Sequence, residues 1–240
     1  MAFDAEDELT ADRAAGSALR LRNWKQIVEK VDFAFQPIVN PHTGHIFGYE
    51  ALLRRWEDSG FDSIQSLFDT AWETGNLHGV DMMLREKAIA KFARLPEARR
   101  LKLFYNFDSR VVRTPDYQPG RTAELLRKAG LERDTIFLEI SERHDISNAQ
   151  YLQDILTRYR SQGFKVAIDD YGSGFAQLRA LYECEPDIIK IDRFFIDGID
   201  RDRRKELFVS QITAFAHMIA AQVVAEGVET REEFLCCRRI

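Results

Sequence analysis

The sequence predicts an α/β chain of the TIM-like (β/α)₈-barrel type, with an antiparallel first strand and without the last strand that would close the barrel. Three observations lead there. Short apolar runs recur along the chain and end in turns, as strands buried on both faces of a parallel sheet do. From about residue 101 these runs alternate with helix-like stretches, the rhythm of a sheet covered by helices. Most of the runs also carry one polar or charged side chain near their C-terminal end, the end at which a barrel assembles its site.

Residues 1–22 are polar, charged and Ala-rich and give no strand signal, so they form a leader or linker helix ahead of one domain over residues 23–240. Phe33–Val39 is a first strand stopped by Asn40-Pro-His-Thr-Gly44, and His45–Arg54 is a second, together a hairpin. Amphipathic helices follow over Ile64–Thr74 and Val80–Leu95, separated by Gly75 and closed by Pro96. Strand and helix then alternate: strand Leu101–Asn106, helix Arg121–Ala129, strand Thr135–Ile140, helix Asn148–Gln162. After them come strand Lys165–Asp169, a short helix over Ala176–Glu183 and strand Asp187–Asp192. Helix Arg203–Ala221, strand Gln222–Glu226 and helix Arg231–Ile240 complete the chain. Seven strands leave two edges unpaired, which suggests that the natural sequence continues.

The 240 residues, 45% apolar, suffice for a core of barrel size. A net charge of −5 offers no basic footprint for duplex nucleic acid. No apolar run reaches bilayer length, and Met1-Ala-Phe-Asp-Ala-Glu-Asp-Glu is acidic where a signal peptide is basic. Cys184, Cys236 and Cys237 have no metal-binding spacing, and they suit reduced structural thiols in a cytoplasmic protein.

The polar side chains at the strand ends are Glu50, Asn106, Glu139, Asp169 with Asp170, Lys190 and Glu226. A single acid at such a place is most often a cap or turn residue; six strand ends alike argue for one site. Side chains alternate along a strand, so Asn106 shares a face with Phe104, Glu139 with Phe137, Lys190 with Ile188, and Glu226 with Val224. Each polar group thus extends an apolar face that lines the barrel interior. Asp169 and Asp170 cannot both point inward from a regular strand, so the strand should end there, before the Gly172-Ser-Gly174 turn. Carboxylates with an amide oxygen, without sulfur or clustered His, suit Mg²⁺ or Mn²⁺ over Zn²⁺. Adjacent acids can divide between two ions about 3.5–4 Å apart, the arrangement that hydrolyses phosphodiesters. Lys190 would orient the attacking water or the phosphate; its structural alternative is an ion pair with Asp192 or Glu226.

Taken in order, the motifs resemble the EAL domains, bacterial phosphodiesterases of cyclic di-GMP. The signature Glu50-Ala-Leu-Leu-Arg54 follows Gln36-Pro-Ile-Val39 and precedes Asn106, Glu139-Ile-Ser-Glu142, Asp169-Asp-Tyr-Gly-Ser-Gly-Phe175, Pro186-Asp-Ile-Ile-Lys-Ile-Asp192 and Ala225-Glu-Gly-Val-Glu229. The resemblance implies two Mg²⁺ or Mn²⁺ ions, the first held by Glu50, Asn106, Glu139 and Asp169, the second by Asp169 and Asp170. It implies Lys190 at the reacting water, Glu226 as acid or base, Arg54 on a substrate phosphate and Gln36 near a guanine. Glu142 and Glu229 are implied to steady the loop after Asp170, and the unit to work as a homodimer under regulatory domains of a longer protein. Gln177 and Tyr171 depart from the common Ser and Phe, and the final strand with its guanine-contacting Gln would lie beyond Ile240. Hydrolysis to linear pGpG is the leading expectation, and a receptor that binds cyclic di-GMP without cutting it is the alternative. His144-Asp145 is also the dipeptide of the helical HD phosphohydrolases, but His42, His45, His78 and His217 lack the accompanying spacing.

Overall fold

A computed structural model describes residues 24–141, 156–172 and 185–240. Seven strands form one sheet in sequence order: β1 (Asp32–Val39), β2 (Ile46–Arg54), β3 (Lys102–Asn106), β4 (Ile136–Ser141), β5 (Lys165–Tyr171), β6 (Ile188–Ile191) and β7 (Gln222–Ala225). β1 pairs antiparallel with β2, and every later neighbour is parallel. The architecture is the expected (β/α) barrel short of its last strand, with β1 and β7 as its edges. The hairpin turn is fixed locally: Asn40 Oδ1 accepts the His42 and Thr43 amides at 2.9 and 3.0 Å, and Gly44 takes φ +72°.

The helices with both ends among the described residues include α1 (Ile64–Glu73), α2 (Leu77–Phe92), α3 (Arg121–Ala129), α4 (Arg193–Ile196), α5 (Arg203–Met218) and α6 (Arg231–Arg239). Several starts are capped by side chains. Ser63 and Ser66 cap α1 reciprocally, Asp202 accepts the Arg204 and Lys205 amides at the head of α5, and Thr230 with Glu233 makes a capping box for α6. Gly130, at φ +71°, ends α3 in the left-handed conformation that glycine adopts without a Cβ clash. Residues 24–30, to which the sequence assigned no element, form a further helix whose Trp24 stacks on Phe61 at 5.8 Å. Lys87 of α2 closes its end by donating to the Val28 and Glu29 carbonyls at 2.9 and 3.1 Å. Residues 156–161 are helical, within the expected Asn148–Gln162 helix; residues 148–155 and the helix expected over Ala176–Glu183 lie outside the described residues.

Two apolar layers flank the sheet. The outer layer carries Leu103, Ile136, Leu138, Val166, Ile189 and Ile191 against the helices. The inner layer is Phe104, Phe137, Ala167 and Ile188, with Ile38, Phe47 and Val224 packed on it. Phe104 and Phe137 stack at 4.8 Å. These inner residues lie two positions before Asn106, Glu139, Asp169, Lys190 and Glu226, so alternation carries those side chains to one mouth.

One expectation is corrected. β5 does not end at Asp169–Asp170 but runs on to Tyr171. Ile168 pairs with Ile189 and Tyr171 with Ile191, which leaves one extra residue on β5, and Asp170 sits at φ +54°. A bulge of this kind re-aims side chains without terminating pairing, and Asp is among the few residues that tolerate the left-handed region. The adjacent acids are separated by a bulge, where a strand terminus was expected. Among the described residues no helix is long and apolar enough to cross a membrane.

Candidate active site and metal centre

Lys190 stands in the middle of the mouth. Its ammonium lies 3.1 Å from Glu50 Oε2, 2.6 Å from Glu139 Oε1, 2.8 Å from Asp169 Oδ1 and 2.8 Å from Glu226 Oε1. Lys190 is 1% exposed and Glu139 0%, so this charge is deep. The structural alternative for Lys190 holds in part, since it pairs with Glu226; Asp192 instead caps α4 by accepting the Phe194 amide at 2.7 Å.

Each partner is delivered by its strand. Glu50 faces Gln36 across the antiparallel β1–β2 pair, and Asn106 faces Glu139 across the parallel β3–β4 pair. Asn106 Nδ2 donates to Glu50 Oε1 at 3.3 Å. Arg54, at the end of β2, is exposed and donates to the Leu53 carbonyl at 2.9 Å. Glu229 pairs with Arg193 at 2.7 Å, with both side chains largely exposed. Glu142 lies outside the described residues, as do His144, Gln177 and Cys184.

One ammonium carries three N–H groups, and here four carboxylates crowd it. The deficit is visible: both Glu139 oxygens and Asp169 Oδ1 are buried without an aligned hydrogen bond. Burial pushes the Glu139 carboxyl well above its usual range, Lys190 opposes the shift, and Glu50 and Asp169 add to it. Burial likewise raises Glu226 to about 7 against the pull of Lys190. Burial opposes the charge on Lys190, but Glu139, Asp169, Glu50 and Glu226 together outweigh it and the ammonium is held charged.

Such a cluster fits a divalent cation. One oxygen each from Asp169, Asp170 and Glu226 lies within 4.8 Å of the others. The donors are all oxygens, the set that Mg²⁺, Mn²⁺ and Ca²⁺ prefer. Glu226, expected as an acid or base alone, thus also stands in the group that could hold an ion. Histidine is absent from that group among the described residues, which leaves the HD-type reading without support.

The sequence reading missed Arg193 and Phe195 of α4, which lie against this mouth. A methyl group at Gly172 would overlap the Phe195 ring, and one at Gly227 would overlap the Arg193 stem. Only the glycines themselves, Gly172 two residues after Asp170 and Gly227 next to Glu226, hinted at so close an approach.

Comparison with known proteins agrees with this fold. Residues 23–240 match the family model for the EAL domain. The chain is 27% identical over 208 residues to the probable cyclic di-GMP phosphodiesterase PdeG of Escherichia coli, covering 83% of this chain and 40% of that one. A standalone EAL protein from Vibrio cholerae, bound to cyclic di-GMP, superposes with TM-score 0.73 at 29% identity, covering 87% of this chain and 86% of that one. BlrP1 of Klebsiella pneumoniae, in complex with manganese and cyclic di-GMP, gives TM-score 0.74 at 28% identity over 88% of this chain and 52% of its own. The chain spans only about a quarter to two-fifths of the length of the curated relatives it matches first.

Proposed function

The chain belongs to the EAL domain family, and on that footing we propose that it is a divalent-metal-dependent phosphodiesterase that opens cyclic di-GMP to linear pGpG. The observation that carries this reading is the buried excess of carboxylates, four on one ammonium, at the strand mouth of a fold shared with cyclic di-GMP-bound proteins. Glu50, Asn106, Glu139 and Asp169 would hold one ion, and Asp169 with Asp170 a second. Ions so held would supply Lewis acidity, activating water near neutral pH and offsetting charge on the phosphoryl oxygens.

The chain's own groups supply the rest. Lys190, kept cationic by its carboxylates, orients the attacking water and the phosphate it approaches. Water forms the new P–O bond, the P–O3′ bond breaks, and a proton must travel from the water to the departing 3′ oxygen. Glu226, 2.8 Å from Lys190 and beside Asp169 and Asp170, is the acid–base group this reading assigns to that transfer. Arg54 lies four residues beyond Glu50 on β2, about 13 Å along the strand, where it would grip a phosphate. Gln36, opposite Glu50, would lie near a guanine, and Glu142 and Glu229 would steady the loop after Asp170. This reading places residues 23–240, behind a leader or linker over 1–22, in the bacterial cytoplasm as a homodimeric unit of a longer regulated protein.

The test is cyclic di-GMP turnover followed by chromatography, with Mn²⁺, with Mg²⁺ and with chelator. Linear pGpG appearing only with the metals is the expected result. Tight cyclic di-GMP binding with no product under any ion would leave the receptor reading instead.

A further inference from the structure

β5 carries Asp169 and Asp170 and β7 leads directly into Glu226, yet the two strands are not neighbours, because β6 lies between them. The segment leaving β6 therefore governs how far apart these acids stand. The β6–α4 junction is tied both ways: the Asp192 amide donates to the Tyr171 carbonyl at 3.1 Å, and the Glu226 amide donates to the Ile191 carbonyl at 3.1 Å. Side chains of α4 then press on both strand exits. The Phe195 ring occupies the space of a Cβ at Gly172, two residues after Asp170, and the Arg193 stem occupies it at Gly227, next to Glu226. Both glycines have positive φ, +115° and +69°, so each exit is held in a turn that few other residues adopt. Phe195 is backed by Phe208 of α5, stacked at 4.8 Å, and Arg193 is held by Glu229 at 2.7 Å.

We infer that Phe195 and Arg193 are positioning residues, wedged against the exits of β5 and β7 so that Asp169, Asp170 and Glu226 stand close enough to share a divalent cation. This rests on the metal-dependent reading above and adds two residues that touch neither substrate nor ion. Groups that orient metal ligands usually change affinity about 10- to 100-fold when removed, and a wedge acting on backbone should fall at the lower end.

The test is Mn²⁺ binding by the substrate-free chain, read from the free-ion paramagnetic resonance signal. Phe195→Ala should weaken Mn²⁺ binding about tenfold, with Phe195→Leu recovering much of it. Arg193→Ala should weaken it less, and Arg193→Lys, which keeps the stem and the charge, should restore it. Leu126→Ala, in the outer core and remote from the mouth, is the control for general destabilisation and should bind Mn²⁺ as the unsubstituted chain does. If Phe195→Ala does not fold, Arg193→Ala carries the test, since that side chain is largely exposed. Unchanged Mn²⁺ affinity in folded Phe195→Ala and Arg193→Ala would overturn the inference and leave the metal reading standing. No Mn²⁺ binding by the unsubstituted chain would overturn both.

Discussion

Arg85 and Lys190 are each 1% exposed, and each is buried against acid, yet they sit in opposite kinds of surroundings. Arg85 lies outside the barrel on α2, paired one-to-one with Asp81 a turn earlier and donating to Thr122 of α3. Its guanidinium lies over the rings of Tyr105 and Phe107, 5.2 Å from each. Burial opposes its charge, Asp81 outweighs that, and it stays a cation. Lys190, inside, faces four carboxylates. The first pair is balanced in charge, with only Arg85 Nε left without a hydrogen-bond partner; the second is short of positive charge and can take more. The sign and size of the imbalance, more than burial itself, mark the binding site.

The sharpest way to break this comparison is to remove acids from the two places. Glu139→Gln or Asp169→Asn should lower cyclic di-GMP turnover about 10³-fold or more, since an ion ligand is lost. The same changes should leave the metal-free melting temperature level or higher, because one of several crowded like charges is gone. A large fall in melting temperature with turnover kept would make the mouth structural. The outer pair should answer in the reverse sense. Arg85→Met strands Asp81 in the core and should cost about 3–5 kcal/mol by denaturant titration, with turnover per folded molecule unchanged. Adding Asp81→Leu should recover most of that loss, because removing both charges also removes the orphan.

Lys190→Ala sharpens the difference further. Turnover at saturating substrate should fall about 10²-fold, the usual scale for a group acting on the reacting water. Cyclic di-GMP affinity measured with Ca²⁺ should shift far less; an equal loss of affinity would make Lys190 a binding group. Without its ammonium the four carboxylates of the mouth lose the cation they share, so the variant's stability should depend more steeply on divalent ion than that of the unsubstituted chain.

The two places also differ in how far the sequence discloses them. Counting in twos back from Asn106, Glu139, Lys190 and Glu226 reaches Phe104, Phe137, Ile188 and Val224, all of which pack in the inner layer, so the site face was readable by strand periodicity alone. Strand order and the antiparallel first pair were legible for the same reason: short apolar runs between turn residues leave few alternatives. The bulge at Asp170 was not, because a left-handed Asp has no mark of its own in an Asp-Asp pair. The Asp81–Arg85 pair was not either. Spacing of four on a helix ordinarily signals a solvated ion pair, and only Thr122 and Tyr105, far along the chain, decide that this one is buried. Residues 24–30 were given no element because seven residues are too few to show a helical period, and the contacts that secure this helix, from Phe61 and Lys87, come from far along the chain.

Glu233 supplies a third environment and the finest test. It is 2% exposed, and its carboxylate is satisfied by neutral donors: the Gly198 amide at 2.8 Å and the Glu229 and Thr230 amides at 2.9 Å. Those backbone hydrogen bonds, from Gly198, Glu229 and Thr230 in that order, hold its carboxyl down to about 2 from 4.5. A carboxyl depressed by folding adds stability that is complete above its unfolded value and is lost as protons reach the folded one. The contribution should therefore be whole above about pH 4.5 and fade as the pH falls toward about 2. Glu233→Gln places an amide NH₂ against backbone donors, so it should melt lower than the unsubstituted chain near neutrality. Melting curves of the two chains taken to acid should converge across that window. A gap that persists unchanged below it would mean that the side chain works through packing, with its charge irrelevant, and neutral donors would then not belong beside Asp81 and Lys190 as a third way to hold a buried carboxylate.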